Sequence, residues 1–281
     1  MDALTTFTDR RELERAVALL RRLGIEYALI SPEPAYDRVG CSALALSGDA
    51  RARFLDCGGV DIVSAGWVDA RPPALSVPDD ASPDFAEDVF GRAAIVVLAT
   101  CVADRDRLRL TAHLSGDVAE VLPYLNAELP QGSYVEALPV FTFMDGHRML
   151  SLFRDRVGIA KADDIVDAWA SLERLRCLVN DVWARRASIT PCFELRRRPP
   201  ALEVYKRLPG TNCKDCGEPT CMAFAWAVWR GDAEPRDCLP VFSGDRGELK
   251  DALLAICAGL GLGGGRRMTA VAAITSPSPA F

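Results

Sequence analysis

Within the charged stretch 9–23, DRRELERAVALLRRL, apolar side chains fall at Leu13, Ala16, Val17, Leu20 and Leu23, the spacing of one helix face. Asp9 is placed to cap this helix and Gly24 to stop it. The residues before it belong to MDALTTFTDRRELERAVALLRR, which carries charges throughout and reads as a helix start, not as a secretion signal. IEYALI then predicts a short strand, SPEPAYDRVG a proline-marked loop and CSALAL a second strand. RAAIVVLATC (92–101) is β-branched and continuously apolar, the pattern of a buried strand. Between the strands lies DARPPALSVPDDASPD (69–84), whose proline and aspartate content marks a flexible link.

Over 107–160 short apolar runs alternate with turns, which predicts β-hairpin structure in which MDGHR joins VFTF to MLSLF. ADDIVDAWASLERLRCLVNDVWARR (162–186) is the strongest helix. Ile165, Val166, Trp169, Leu172, Leu175, Val179, Val182 and Trp183 form its apolar stripe, and Asp163 and Asp164 suit its positive N-terminal end. ITPCFELRRRPPALEVYKR (189–207) reads as extended or irregular, and GELKDALLAICAGLGL (247–262) as a closing helix that ends at Gly259 or Gly261. The resulting fold class is α/β (α+β). An N-terminal mixed domain (1–104) precedes a central β-hairpin and long-helix region (105–204). A small cysteine-bearing module (205–262) and a disordered tail (263–281) follow.

Composition adds little until the cysteines are reached. The chain of 281 residues is 49% hydrophobic and 26% charged, enough apolar content for a real core. Its net charge of −6 gives no reason to expect nucleic-acid binding. No apolar run approaches the roughly 20 residues of a membrane span, so a cytoplasmic protein is expected. Six of the ten cysteines (Cys41, Cys57, Cys101, Cys177, Cys192, Cys257) are dispersed and four are bunched. In reducing cytosol such bunching argues for a ligand set and against disulfides.

The bunch lies in LPGTNCKDCGEPTCMAFAWAVWRGDAEPRDCLPV (208–241), with spacing C-x2-C-x4-C-x16-C at Cys213, Cys216, Cys221 and Cys238. A [4Fe–4S] cluster needs four converging thiolates, two or three from one tight loop and a remote one to close the cage. Gly210 and Gly217 permit left-handed backbone, so that amide groups can approach sulfur. MAFAWAVW is helical in composition and would place Cys221 at a helix N-terminus, where a thiolate is favoured. Structural zinc also takes four cysteines, usually as two C-x2-C knuckles, of which only one exists here. Unrelated core thiols are the third reading, and spacing alone leaves all three open.

These residues resemble a family. LPGTNCKDCGEPTCMAFAWAVWRG…CLP is similar to the small iron–sulfur cluster domain of the corrinoid iron–sulfur protein large subunit, of corrinoid-protein reductive activators and of the Rnf complex B subunit. The shared pattern is L-P-G-x-N-C-x-x-C-G-x-x-x-C-x-x-[FL]-A with a final Cys-Pro; here Leu239 separates Cys238 from Pro240. The resemblance implies one [4Fe–4S] cluster held by Cys213, Cys216, Cys221 and Cys238. The region from IAKADD to YKRLPGTNC also resembles the middle of uncharacterised iron–sulfur-binding proteins. LGIEYALISPEP…VGCSALAL is similar to sulfur- or selenium-carrier-like domains, with Cys41 in the cysteine position but Gly-Cys-Ser in place of Cys-Gly.

The only histidines, His113 and His147, read as structural or exposed. Asp163 and Asp164 read as helix-starting residues, with a minority reading that aims Lys161 at the cluster or a partner. Arg185, Arg186, Arg196, Arg197, Arg198, Lys206 and Arg207 form a basic stretch, by default solvated, alternatively a dock for an acidic electron carrier or a phosphate near the cluster. Trp169, Trp183, Trp226 and Trp229 sit at helical spacings and read as core. No Walker A loop, Ser-His-Asp set or paired catalytic carboxylates stand out. The expected role is non-catalytic electron transfer with an unidentified redox protein partner. A cluster or sulfur carrier acting in maturation, and a structural metal module for partner binding, are the alternatives.

Overall fold

A computed structural model of the chain describes residues 2–32, 34–69, 81–129, 131–196 and 199–260. The tail expected over 263–281, most of the link expected over 69–84, and Arg197 and Arg198 lie outside the described residues. The architecture is mixed α/β with antiparallel sheets.

The first sheet has the order β2-β3-β1-β4, from β1 (Asp2–Thr5), β2 (Ala28–Ile30), β3 (Ala43–Ser47) and β4 (Val68–Asp69). Helices α1 (Arg10–Leu23) and α2 (Gly48–Asp56) supply Ala16, Leu19, Leu20 and Phe54 to a small core with Leu44 and Leu46 of β3. The local signals for α1 work as read: the Asp9 carboxylate accepts from Arg11 N–H, and Gly24 closes the helix at φ 61°. The segment Asp2–Thr5 is a strand, however, not part of a helix start. It pairs with β3 from Asp2–Ser47 to Thr5–Leu44, a non-local partnership that four residues do not announce.

The second sheet has six strands in the order β5-β6-β10-β9-β8-β7: β5 (Ala93–Thr100), β6 (Leu108–Leu114), β7 (Ser133–Val135), β8 (Val140–Asp145), β9 (Arg148–Phe153) and β10 (Arg156–Ala162). The expected hairpin is β8–β9, closed by Gly146 and His147. The inner face of the six-stranded sheet carries Ile95, Leu110, Phe141, Leu150, Leu152, Val157 and Ile159, packed against Trp169, Leu172, Leu175, Val179 and Val182 of the long helix α4 (Ile165–Ala184). Strand β5 is not buried on both faces as its composition suggests. It lies at the sheet edge with alternating burial, and Val97 faces solvent.

Two segments within regions read as non-helical are helices. α3 (Leu122–Glu128) has Pro123 in its first turn, where a missing N–H is harmless, and buries Leu122 and Leu125 against the main core. The short α5 (Ala201–Tyr205) follows Pro200. It packs with α6 (Cys221–Arg230), α7 (Leu239–Phe242) and α8 (Lys250–Gly259) around Val204, Leu208, Phe224, Val228, Val241 and Leu253.

Candidate metal centre

The cysteine-bearing segment is built from a glycine-punctuated loop and a capped helix. Gly210, Asn212, Lys214 and Gly217 have φ of 71°, 51°, 70° and 83°. Four left-handed residues in eight curl the chain tightly, and Gly217 N–H bonds Lys214 C=O at 2.9 Å within the curl. Thr220 then starts α6, its hydroxyl accepting from Ala223 N–H at 3.0 Å, which makes Cys221 the first helical residue, as expected. Cys238 arrives after a turn over Pro235–Asp237, in which Glu234 N–H donates to the Asp237 carboxylate at 3.0 Å, and it leads into α7.

Loop and remote residue meet. Cys213, Cys216, Cys221 and Cys238 all line one hollow, with Asn212, Phe224 and Pro240 among its other walls. Cys213 is exposed, Cys216 half-buried, and Cys221 and Cys238 buried, so the hollow is closed at its base and open at the loop. Burial pushes the Cys238 thiol up to about 11. Val241 N–H opposes this, and the neighbouring Cys221, Cys216 and Cys213 raise it further. Among the described residues no group of three or more His, Cys, Asp or Glu side chains is placed to hold a single metal ion. Four sulfur donors round a shared hollow, with no imidazole, are the soft set that iron–sulfur clusters and tetrahedral zinc both take.

The far end of α6 is gripped by the second sheet. Gly231 (φ 77°) closes the helix, with Gly231 N–H on Val228 C=O at 2.8 Å and Asp232 N–H on Ala227 C=O at 2.9 Å. A Cβ on Gly231 would lie 2.7 Å from His147 Cα, so the β8–β9 turn touches this cap directly. A bulge in β10 puts Lys161 in the left-handed region at φ 66°. From there its ammonium reaches Asp232 at 2.6 Å and Arg230 C=O at 3.4 Å, a cation at a helix C-terminus. Arg107 joins Asp163 at 3.0 Å and approaches Asp232 at 3.8 Å. Lys161 therefore points at the cysteine-bearing helix, at the end opposite Cys221 and about 14 Å from it at 1.5 Å per residue.

The remaining candidates fall away from the hollow. Asp164 caps α4 by accepting from Asp167 N–H at 2.9 Å, while Asp163 serves Arg148, Arg107 and His147. His113 is exposed; the pKa of half-buried His147 is lowered, first by burial and then by Arg148. Cys41 is half-buried at the small core with its thiol pushed up by burial, the opposite of an activated nucleophile. Cys257 shares the module's core without lining the hollow.

The described members of the basic stretch are engaged. Arg185 pairs with Asp181 and Glu128, Arg186 with Glu87, and Lys206 and Arg207 with Glu203, while Arg196 donates to Asn126 C=O. Trp169 is fully buried, whereas Trp226 is 50% exposed and departs from the core reading: it stands on the outer side of α6, in edge contact with Trp229. Asn212 stands in the shared pattern L-P-G-x-N-C, but sequence reasoning assigned it no role; asparagine tolerates the left-handed region that it occupies here.

Residues 208–240 match the protein-family model described as "Putative Fe-S cluster". The segment is similar to that iron–sulfur cluster family. The matched range contains all four clustered cysteines. Over 40 residues the chain is 55% identical to the acetyl-CoA decarbonylase/synthase complex subunit gamma 1 of Methanosarcina thermophila, covering 14% of this chain and 8% of that protein. Over 54 residues it is 46% identical to the corrinoid/iron-sulfur protein large subunit of Moorella thermoacetica, covering 19% and 12%. The chain thus spans about a tenth of the length of the curated relatives it matches. No solved structure gives a significant match. No helix among the described residues is long and apolar enough to cross a membrane.

Proposed function

We propose that Cys213, Cys216, Cys221 and Cys238 together hold one [4Fe–4S] cluster, and that the chain exchanges single electrons with a protein partner. The observation that carries this reading is the convergence of the four thiols on one hollow within a segment that matches an iron–sulfur family model. A cluster bound there supplies one-electron transfer. The chain's own residues do the rest. The left-handed loop presents Cys213 and Cys216, the α6 N-terminus presents Cys221, and the turn before α7 presents Cys238. Phe224, 1% exposed, backs the hollow and keeps water from its base. Exposed Cys213 leaves the other side open to a partner.

With four cysteine ligands every iron is capped by protein, so the site suits electron relay and not substrate binding. The two relatives are named as a subunit of a complex and as a large subunit, which supports a protein partner for this chain as well. A cytoplasmic setting fits the free thiols that such a site requires. The test is a redox titration of the anaerobically purified chain followed by visible and electron paramagnetic resonance spectra. The reading expects colour that bleaches reversibly and one paramagnetic signal per reduced chain. A metal-bound chain that neither bleaches nor gives a signal would instead establish a structural clasp. Transfer of the cluster to an apo-ferredoxin would establish the carrier role.

A further inference from the structure

We infer that Asn212 is a positioning residue of the centre: it clamps Cys221 reciprocally and, through its own N–H, tunes the sulfur of that ligand. This rests on the four-cysteine reading and goes beyond it, because Asn212 is not a ligand. Its side-chain Oδ1 accepts from Cys221 N–H at 2.8 Å, and its backbone N–H donates to Cys221 Sγ at 3.4 Å. Two bonds in opposite directions thus tie residues nine apart.

Each bond has a physical reason. Cys221 N–H is at the first position of α6, where no intrahelical carbonyl can reach it, and Thr220 has already spent its hydroxyl on Ala223. Asn212 supplies the missing acceptor. The left-handed backbone at Asn212, φ 51°, turns the Asn212 amide inward, so the residue type that tolerates this conformation is also the one whose side chain reaches Cys221. An N–H bond to a thiolate sulfur stabilises the more negative state of whatever the thiolate binds, and such bonds are among the features that set cluster potentials.

Three variants act on the side-chain bond and leave the Asn212 N–H in place. Asn212→Gly keeps the backbone conformation without strain and removes Oδ1. Asn212→Asp keeps an acceptor and adds a negative charge beside the sulfur. Asn212→Ser shortens the acceptor and strains the backbone. Iron and sulfide per chain, the midpoint potential, and the rate of iron loss to a chelator are measured on each full-length chain. With Asn212→Gly the backbone N–H remains but the side chain no longer holds it against Cys221 Sγ, so we expect a more negative potential and iron loss about fivefold faster, the equivalent of one ordinary hydrogen bond. Asn212→Asp is expected to hold iron nearly as well as the parent while its potential also falls, and Asn212→Ser to resemble Asn212→Gly in iron loss. Potentials and rates unchanged in both the glycine and aspartate variants would overturn the inference.

A second readout does not depend on the cluster. In the metal-free chain, the alkylation rate of Cys221, mapped by mass spectrometry, is expected to rise in Asn212→Gly while that of exposed Cys213 stays the same. If the parent chain assembles no iron–sulfide centre, the ligand reading fails and the clamp is judged on this measurement alone, where an unchanged Cys221 rate would refute it.

Discussion

Arg176→Met probes how the long helix holds the preceding segment. The Arg176 side chain is fully buried on α4, and its guanidinium bonds Asp88 at 2.6 Å, Glu173 at 2.9 Å and Ser82 at 3.0 Å while lying 5.1 Å above the Phe85 ring. Methionine keeps the apolar stem and deletes the charge, which leaves two carboxylates mostly out of water without their cation. Removing one partner of a buried pair costs about 3–5 kcal/mol. Asp88 retains Gly91 N–H at 2.8 Å and the Asn180 amide at 2.7 Å, so the lower end applies, about 3 kcal/mol. At about 2–4 °C per kcal/mol for a chain of this size, the melting temperature falls by about 6–12 °C.

The same group sets a pH signature. Burial pushes the Asp88 carboxyl up, but Gly91 N–H, the Asn180 amide and Arg176 outweigh it, and the net shift is downward. A carboxyl whose folded pKa lies below its unfolded value stabilises the fold above about pH 4, and that contribution disappears as pH falls through the folded value. Arg176→Met removes part of the depression, so its stability curve on the acid side is shallower than the parent's. Urea unfolding followed by circular dichroism at several pH values checks both statements. A loss under 1 kcal/mol at neutral pH, with parallel acid slopes, would refute the reasoning.

Cys216→Ser is expected to lose or convert the bound cluster while Cys177→Ser leaves it intact, and equal iron content in the two would remove the ligand assignment. Lys161→Ala loses the ion pair with Asp232 but keeps a left-handed φ that alanine resists, whereas Lys161→Gly loses only the pair. Thermal unfolding should therefore find the alanine variant weaker by about 1 kcal/mol, and no difference would contradict strain at the bulge. Burial pushes the Cys177 and Cys257 thiols up to about 12, with Glu173 adding to the rise at Cys177, whereas Cys57 is exposed. Alkylation near pH 8 should label Cys57 quickly and the other two only after denaturation. Equal rates in the folded chain would show that the burial is wrong.

Features written locally could be read from the chain. Asp9 and Gly24 bound α1, Asp164 starts α4, and the turn at Gly146 and His147 closes β8–β9, because each signal lies within a few residues of what it controls. The cysteine spacing likewise carried its own geometry: a loop, a helix start and a return. What escaped notice depends on distant partners. Strand β1 exists through its pairing with β3 and β4, and α3 through the buried contacts of Leu122 and Leu125. The grip of Gly146, His147 and Lys161 on the end of α6 joins residues roughly seventy to eighty-five positions apart, with no periodicity to announce it. Trp226 was misread because helical spacing places it on α6 without saying which side of that helix is covered.

Anaerobic purification followed by iron, zinc and acid-labile sulfide assay tests the central claim most directly. The account predicts about four irons and four sulfides per chain, as a single cubane requires, and loss of both in Cys213→Ser and Cys238→Ser. One zinc per chain without sulfide would contradict it and make the four cysteines a structural clasp.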